Sequence, residues 1–193
     1  MKNTVSEVKR KNILDKILPK DIFGSYFRLV ETEDAEFIVS LRTNPKLARF
    51  LSPTSNDINA QVAWLKKYKL REEKGEEFYI ICLDQDKKTK QGLSRIYNIN
   101  DNNYEIGSWL FSNTAKQGRA ILCDLFTRSI AFEQFNMEKC VFEVRKENKS
   151  VLRYHEKFNP KKVREDDLNY YYELDYNNFV VQRDKLLKTL KYD

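Results

Sequence analysis

The sequence predicts an α/β protein with a mixed, mostly antiparallel central sheet flanked by helices. Two observations predict this class. Two segments with helical spacing of apolar residues come first, and three consecutive strand-like runs joined by short polar turns follow them. Beyond the third run, strands alternate with helices to the end of the chain, which is typical of a sheet of mixed direction. No repeat or linker interrupts the 193 residues, so one domain is the simplest count.

The predicted strands are short runs of alternating or continuous apolar residues between turn signals. They are Phe27–Glu31, Phe78–Leu83, Gly92–Ile99, Tyr104–Phe111, Lys139–Arg145 and Asp167–Tyr176. Phe78–Leu83 and the two runs that follow it form an antiparallel meander, because only short polar turns separate them.

The early helices are predicted from their capping residues. Residues 1–20 predict either a short basic helix or a disordered arm. The first helix of the body begins after Thr32, where an acidic first turn suits the helix dipole, and ends near Asn44-Pro45. The second begins after Asn56 or Asp57 and stops at Gly75.

The second half of the chain has the most informative order of elements. The strand YEIGSWLF (Tyr104–Phe111) runs into a polar loop, Ser112–Ala120, and a long apolar-periodic helix then reaches Phe135. After the strand KCVFEVR comes a short helix, Asn148–Phe158, that carries the only histidine of the chain. The spacing of Val181–Tyr192 fits a terminal helix.

Charge divides the chain into a balanced body and two basic tails. Of the net charge of +6, residues 1–20 contribute six Lys/Arg against two Asp/Glu, and residues 177–193 contribute four against two. We therefore predict a basic N-terminal arm (1–20), a main domain (21–176) and a C-terminal tail with helical spacing (177–193). A balanced body disfavours nucleic acid as the main partner.

Composition excludes several other classes of protein. No apolar stretch approaches the roughly twenty residues of a membrane span, and the first residues lack the apolar run of a secretory signal. The cytoplasm is the expected location, with no membrane partner. Cys82, Cys123 and Cys140 each sit in an apolar segment, which predicts buried, reduced thiols. One histidine and no paired cysteines predict no metal site.

The polar loop has several features of a phosphate-binding site. A glycine at a helix start lets the backbone approach an anion, and the helix offers unpaired N–H groups and a partial positive charge. Gly118 occupies the position at the helix start, and Lys116 and Arg119 add positive charge. The small side chain of Ala120 leaves room in the next turn. An ordinary helix start after a polar loop is the alternative.

A family resemblance rests on the order of elements and on two segments, EIGSWLF and ENKSVLRYHEKF. Over about residues 22–176, the chain resembles the Gcn5-related N-acetyltransferases. Within that superfamily, EIGSWLF resembles a strand of the branch with the ribosomal-protein alanine and amino-sugar N-acetyltransferases. The resemblance implies the acyl-CoA N-acyltransferase fold. It also implies transfer of an acetyl group from acetyl-CoA, the cosubstrate, to a primary amine through a ternary complex.

Residue roles follow from the same resemblance. His155 stands where many relatives have the tyrosine that protonates the leaving thiolate, and Glu105 where relatives have an acidic residue that acts as the base. The implied cofactor-binding residues are Leu110 and Phe111 for the pantetheine arm, Asn148 on the following helix, and Lys116, Gln117, Gly118, Arg119 and Ala120 for the diphosphate.

The residue types suit those roles, although each has a plainer alternative. Imidazole titrates near neutrality, and Asn148 lies two helical turns before His155 on the same face. A surface histidine, an N-cap asparagine and a solvated Glu105 at a strand start are the alternatives. A cysteine nucleophile is disfavoured because all three cysteines are expected to be buried.

Several functions stay open at this point. The preferred acceptor is a small-molecule amine, such as an amino sugar on a nucleotide carrier, and a protein N-terminus is next. A non-catalytic acyl-CoA-binding module is the alternative of another class, because Ala115 and Asn159 depart from the family motif. RNA association through the basic tails is the third hypothesis. A homodimer is an open possibility among the partners.

Overall fold

The computed structural model describes residues 5–100 and 102–192, and its strands form a single sheet. The strands are β1 Lys20–Ile22, β2 Ser25–Leu29, β3 Phe78–Asp84, β4 Lys90–Tyr97, β5 Asn103–Phe111, β6 Lys139–Arg145, β7 Lys161–Glu165 and β8 Asn169–Asp175. The helices are α1 Glu7–Ile17, α2 Ala35–Arg42, α3 Ile58–Lys74, α4 Arg119–Ser129, α5 Lys149–Glu156 and α6 Tyr176–Thr189.

The order of strands across the sheet is β1-β2-β3-β4-β5-β6-β8-β7. Every neighbouring pair is antiparallel except β5 and β6, which run parallel. The predicted mixed, mostly antiparallel sheet flanked by helices is therefore confirmed. The parallel pair needs a crossover connection, which the loop after β5 and the helix α4 supply.

All six predicted strands are present, but two further strands were missed. β1 has three residues, and all five residues of β7 are exposed and four of them charged. Neither shows the apolar alternation from which a strand is predicted, because each lies at an edge of the sheet.

Capping residues fix both helices of the first half. Asp57 accepts hydrogen bonds from the N–H groups of Asn59 and Ala60, as predicted for the start of α3. Gly75 ends α3 in the left-handed conformation, with φ of 78°. A 3-10 turn, Thr32–Asp34, precedes α2, and its cap is Glu31 rather than the predicted Thr32.

Two apolar clusters cover the two faces of the sheet. Helices α2 and α3 pack on one face, with Leu65 and Tyr68 fully buried against Leu93 and Leu110. The larger cluster lies on the other face beneath α1, α4, α5 and α6. The three cysteines are buried as predicted, and burial raises the pKa of Cys82 and Cys140 to about 11.

The described parts of both tails are helices that belong to the larger cluster. Leu14 of α1 is fully buried, and Leu18 follows it into the core. Phe179 and Leu186 of α6 do the same at the other end of the chain. Of the two alternatives for the N-terminal segment, a helix is therefore correct over Glu7–Ile17, and its apolar face is buried.

Gly75 should be intolerant of a side chain because its backbone and its surroundings both exclude one. The left-handed conformation costs other residues roughly 1–3 kcal/mol, and a Cβ here would overlap the backbone carbonyl of Glu7 in α1. We expect Gly75→Ala to lower the free energy of unfolding by more than about 2 kcal/mol, measured by urea denaturation. The control is Lys74→Ala at the exposed preceding residue, and equal stability of the two variants would contradict the docking of α1.

Candidate active site

The slot at the centre of the sheet arises because β5 and β6 separate. They pair over only three positions, Asn103 with Lys139, Tyr104 with Cys140, and Glu105 with Val141. Beyond Glu105 the remainder of β5 has no partner on the β6 side. A cavity of about 400 Å³ occupies the gap, and residues of β4, β5, β6, α4 and α5 line it.

The cavity reaches both faces of the sheet. On the α4 side it is lined by Asp124, Val151 and His155. Glu143 and Arg145 alternate along β6 with Phe142 and Val144 of the larger apolar cluster, so they point to the opposite face. Two reactants that enter from opposite faces can therefore meet inside the sheet.

A bulge in β5 shapes the wall of the slot. Arg95 pairs with Gly107 and Leu93 with Leu110, so β5 has one more residue than β4 between these pairs. Ser108 takes up the irregularity with a left-handed φ of 50°. Gly107, the residue before it, lies close to β4, where an added Cβ would come within 3.0 Å of the Tyr97 ring.

Trp109 connects the bulge to the helices that follow. Its indole Nε1 donates to the carbonyl oxygen of Ala120 at 2.9 Å. Its ring lies 5.0 Å from the ring of Tyr154 and 5.8 Å from that of His155. The side chain therefore fixes the start of α4 and the end of α5 against the same wall of the slot.

The loop before α4 presents unpaired backbone N–H groups. Gly118 begins the helix with φ of 82°, and no side chain caps it. Among the described residues, no acceptor faces the N–H groups of Gln117, Gly118, Ala120 or Ile121. Such groups at a helix start attract anions, so this arrangement fits the diphosphate of a coenzyme A thioester.

The charged side chains of this loop bind other parts of the protein. Lys116 Nζ lies 2.7 Å from a carboxylate oxygen of Asp84, although its backbone N–H, bonded to Gln91, holds the loop in place. Arg119 was predicted to add charge to the phosphate site. Its buried guanidinium instead donates to the carbonyl of Phe23, so the positive potential of the loop rests mainly on backbone dipoles.

The end of the chain lies against this loop. The hydroxyl of Tyr192 is 3.3 Å from Arg119 Nη1, and its ring meets Phe23 edge to face. A Cβ added at Gly118 would come within 3.1 Å of the Leu190 side chain. The residues after α6 thus support the loop from behind.

Leu110 and Phe111 lie where β5 borders the open slot. On the β4 side they pair with Leu93 and Gly92. The ring of Phe111 packs over Gly92, where no other residue would leave room. Their backbone edge is held from one side and free on the other, as the predicted pairing with an extended arm requires.

His155 lines the cavity but is 93% buried. Burial holds its pKa well below the usual range, and the nearby positive charge of Arg128 lowers it further. The ring is therefore neutral at pH 7. A neutral imidazole does not act as the imidazolium acid that the sequence predicted, although its N–H remains a hydrogen-bond donor.

The tautomer of His155 follows from its contact with Arg128. Nη2 of Arg128 lies 3.4 Å from Nδ1, and a guanidinium is only a donor, so Nδ1 is the accepting nitrogen. The proton of the neutral ring then sits on Nε2. Among the described residues this atom has no hydrogen-bond partner, and it is not one of the fully buried unpaired atoms, so it is available to a ligand in the cavity that His155 lines.

A buried ion pair holds Arg128 in place. Both Nε contacts to the Asp124 carboxylate are near 3.0 Å, and Tyr154 donates its hydroxyl to the same carboxylate at 2.7 Å. Arg128 and Asp124 are fully buried, and the guanidinium also contacts the Cys140 sulfur at 3.0 Å. A buried charge pair with satisfied partners fixes geometry more than it stabilises the fold.

Asn148 is the N-cap of α5, the plainer of the two roles that its position suggested. Its side-chain oxygen caps α5 by accepting from the N–H of Val151 at 3.4 Å. The residue also lines the cavity two turns from His155. The amide nitrogen has no partner among the described residues, so it can donate into the slot.

The acidic groups lie on the face opposite α4. Glu105 and Tyr97 are partners across β5 and β4, and Tyr97 lines the cavity while Glu105 itself does not. Burial and then the negative charge of the Glu105 carboxylate raise the pKa of Tyr97, so its hydroxyl stays protonated. Glu143 lines the cavity directly and was missed.

Two kinds of signal in the sequence mark the residues that were missed. Asp124 and Arg128 are charged residues at i and i+4 within an otherwise apolar helix, which indicates a buried pair. Glu143 alternates with apolar residues in KCVFEVR, which places it on the opposite face. Arg42 and Arg95 gave no local signal, because only the tertiary fold brings them to the cavity.

Comparison with known proteins assigns a class to this combination of parted strands and uncapped helix start. Residues 26–159, more than half of the chain, match the family model described as an acetyltransferase (GNAT) domain. The chain belongs to the GNAT acetyltransferase family, whose members generally use acetyl-CoA. The search of curated proteins found no match to the sequence.

Several solved structures are similar to this one. FdhC, described as a nucleotide-linked sugar GNAT, is 34% identical, with a TM-score of 0.77, over 86% of this chain and 95% of that chain. Ribosomal-protein-S5-alanine acetyltransferase from Vibrio fischeri is 14% identical, with a TM-score of 0.70, over 83% and 97%. A mutant of the spermidine N-acetyltransferase SpeG from Vibrio cholerae is 15% identical, with a TM-score of 0.66, over 81% and 96%. At these last two identities the likeness shows the fold alone.

Among the described residues, no helix is both long and apolar enough to cross a membrane.

The neutral state of His155 can be read directly because it is the only histidine. In a two-bond ¹H–¹⁵N spectrum of the labelled protein, we expect an unprotonated Nδ1 and a protonated Nε2. Because burial lowers the pKa, this pattern should persist as the pH falls through about 6.5, where free imidazole titrates. A ring that becomes doubly protonated near pH 6.5 would contradict the assignment.

The lowered pKa of His155 also predicts how the stability of the fold depends on pH. The unfolded chain takes up this proton near pH 6.5 and the folded chain does not, so stability is lost as the pH falls below about 6.5. His155→Gln lacks this titration and is the matched control in urea denaturation at pH 7.5 and 5.5.

Proposed function

We propose that this protein is an N-acetyltransferase that moves the acetyl group of acetyl-CoA to the primary amine of a small molecule, such as an amino sugar on a nucleotide carrier. The observation that carries the proposal is the slot between β5 and β6, which is open to both faces of the sheet. The 34% identity to a nucleotide-linked sugar GNAT supports the choice of acceptor.

The cosubstrate would be held largely by backbone groups. The N–H groups of Gln117, Gly118 and Ala120 would bind the diphosphate, and the free edge of Leu110 and Phe111 would pair with the pantetheine amides. The Asn148 amide nitrogen faces the same slot. Bound acetyl-CoA supplies an activated acetyl group, and the protein orients that group between the two faces of the sheet.

The protons move in opposite directions during the transfer. The attacking amine must lose a proton and the departing sulfur must gain one, while the acetyl carbon exchanges its bond to sulfur for a bond to nitrogen. His155 would stabilise the departing thiolate by donating a hydrogen bond from Nε2, as a neutral ring can. The proton that the thiolate finally takes up would come from water, because neutral imidazole is a poor acid.

Glu105 is proposed as the base, acting through a water because its carboxylate does not line the cavity itself. Its carboxylate is close enough to the Tyr97 hydroxyl, which lines the cavity, to raise the pKa of that hydroxyl beyond the effect of burial. Glu143 has direct access to the cavity and is the second candidate for the same task.

The proposal is tested by mass spectrometry of acetyl-CoA reactions with three kinds of amine. These are nucleotide-linked amino sugars, peptides with free N-termini, and polyamines. Acetylation of the sugar amine supports the proposal. Acetylation of peptides alone would replace the acceptor, and calorimetric binding of acetyl-CoA with no turnover on any amine would favour a non-catalytic acyl-CoA-binding module.

His155→Ala should slow the reaction rather than weaken cosubstrate binding. Removing one donor to developing negative charge costs about a hundredfold in kcat. The KM for acetyl-CoA should change little, because the loop before α4 carries most of that binding. Steady-state kinetics with a thiol-release assay measure both values, and an unchanged kcat would remove His155 from the mechanism.

Substitution of the two glutamates should separate the base from its neighbour. Glu105→Gln should lower kcat/KM for the amine at pH 7, and the deficit should shrink as the pH approaches the pKa of the amine, since solvent then removes the proton. Glu143→Gln is the matched comparison. If only the Glu143 variant shows this pH profile, the base is Glu143.

A further inference from the structure

Three arginines converge on the acceptor side of the cavity. Arg42 ends α2, Arg95 lies in β4 and Arg145 ends β6, yet all three line the same space. Arg95 packs beside Trp64 on the face covered by α2 and α3, and Arg145 points to that face by the alternation of β6. The loop before α4, with its unpaired N–H groups, lies on the other face.

Two of these guanidinium groups have no carboxylate partner among the described residues. Arg42 donates only to neutral oxygens, Thr54 Oγ1 at 2.6 Å and the Ser52 carbonyl at 3.4 Å. Arg145 has no side-chain hydrogen bond or ion pair to the described chain, although it is half-buried. Guanidinium groups that lack a carboxylate partner in the protein are free to bind a ligand of opposite charge.

Arg95 is partly satisfied. The Glu77 carboxylate pairs with one terminal nitrogen of Arg95. The Nε of Arg95 is fully buried and has no hydrogen-bond partner among the described residues. The rings of Trp64 and Tyr97 flank the guanidinium at 5.2 Å and 4.8 Å from their centres. The side chain is thereby held in one position at the wall of the cavity.

The balance of charge in the cavity is positive on this side. Only two carboxylates line it, and Asp124 belongs to the α4 face and is neutralised by Arg128. Because Glu77 pairs with Arg95, Glu143 is left opposite two uncompensated guanidinium groups, those of Arg42 and Arg145. A polyamine would meet net repulsion here, whereas an acceptor with phosphates at its far end would meet complementary charge.

We propose that Arg42, Arg95 and Arg145 form a subsite for phosphate groups carried by the acceptor, two residues along β6 from the carboxylate that faces its amine. This inference rests on the proposed function and narrows it to acceptors whose non-reacting end is a phosphate ester or diphosphate. Arg145 and Glu143 are about 7 Å apart along the strand, so one can bind the phosphate end of a ligand while the other faces its amine end. Guanidinium forks suit phosphate oxygens because they bind them in pairs.

The kinetic test compares one amino sugar in two forms, linked to a nucleoside diphosphate and free. The linked form should have the higher kcat/KM in the wild-type enzyme. Arg42→Gln and Arg145→Gln should each reduce the preference for the linked form by about tenfold, mainly through KM, as expected for loss of one charged hydrogen-bond partner. The matched control is Arg153→Gln on the exposed face of α5, outside the cavity. An unchanged preference in both cavity variants would overturn the subsite.

A binding test keeps this inference separate from the proposed function. The probe is a nucleoside diphosphate alone, titrated calorimetrically in saturating coenzyme A so that the cosubstrate site is blocked. Binding that the Arg42→Gln/Arg145→Gln variant loses supports the subsite even if no amine is acetylated. Absence of binding in the wild type, or binding that coenzyme A abolishes, would overturn it whether or not the enzyme turns over. Thermal melting of each variant confirms that it is folded.

Discussion

The separation of β5 and β6 after three paired positions is the constraint on which the rest of the site depends. Main-chain groups that a longer ladder would satisfy stay free on β5, and the gap joins the two faces of the sheet. The bulge at Ser108 and the packing of Phe111 over Gly92 keep β5 anchored to β4 despite the lost neighbour. The opening therefore leaves the pairing of β5 with β4 in place.

The gap also keeps two electrostatic environments apart. On the α4 face, Asp124 and Arg128 cancel each other in the dry interior and leave a neutral imidazole with a directed N–H. On the other face, Arg42 and Arg145 lack such partners among the described residues, so their charge is available to a ligand. One face therefore holds a buried, electrically neutral set of groups, and the other presents positive charge.

Much of the fold was predictable because periodicity and capping are local properties. Asp57 and Gly75 bounded α3 correctly, and every apolar strand was found. β7 was missed because its edge position removes the apolar pattern. Site geometry was harder to predict. The turning of Arg119 toward Phe23 and the lowered pKa of His155 both depend on neighbours distant in sequence, which local patterns do not encode.

The contact of Tyr192 and Leu190 with the loop before α4 has a consequence for how that loop is held. The last described residues contact Arg119 and Gly118, so the segment after α6 is part of the support of the loop before α4. A change that displaces Leu190 or Tyr192 therefore removes support from this loop without altering any residue of the loop itself.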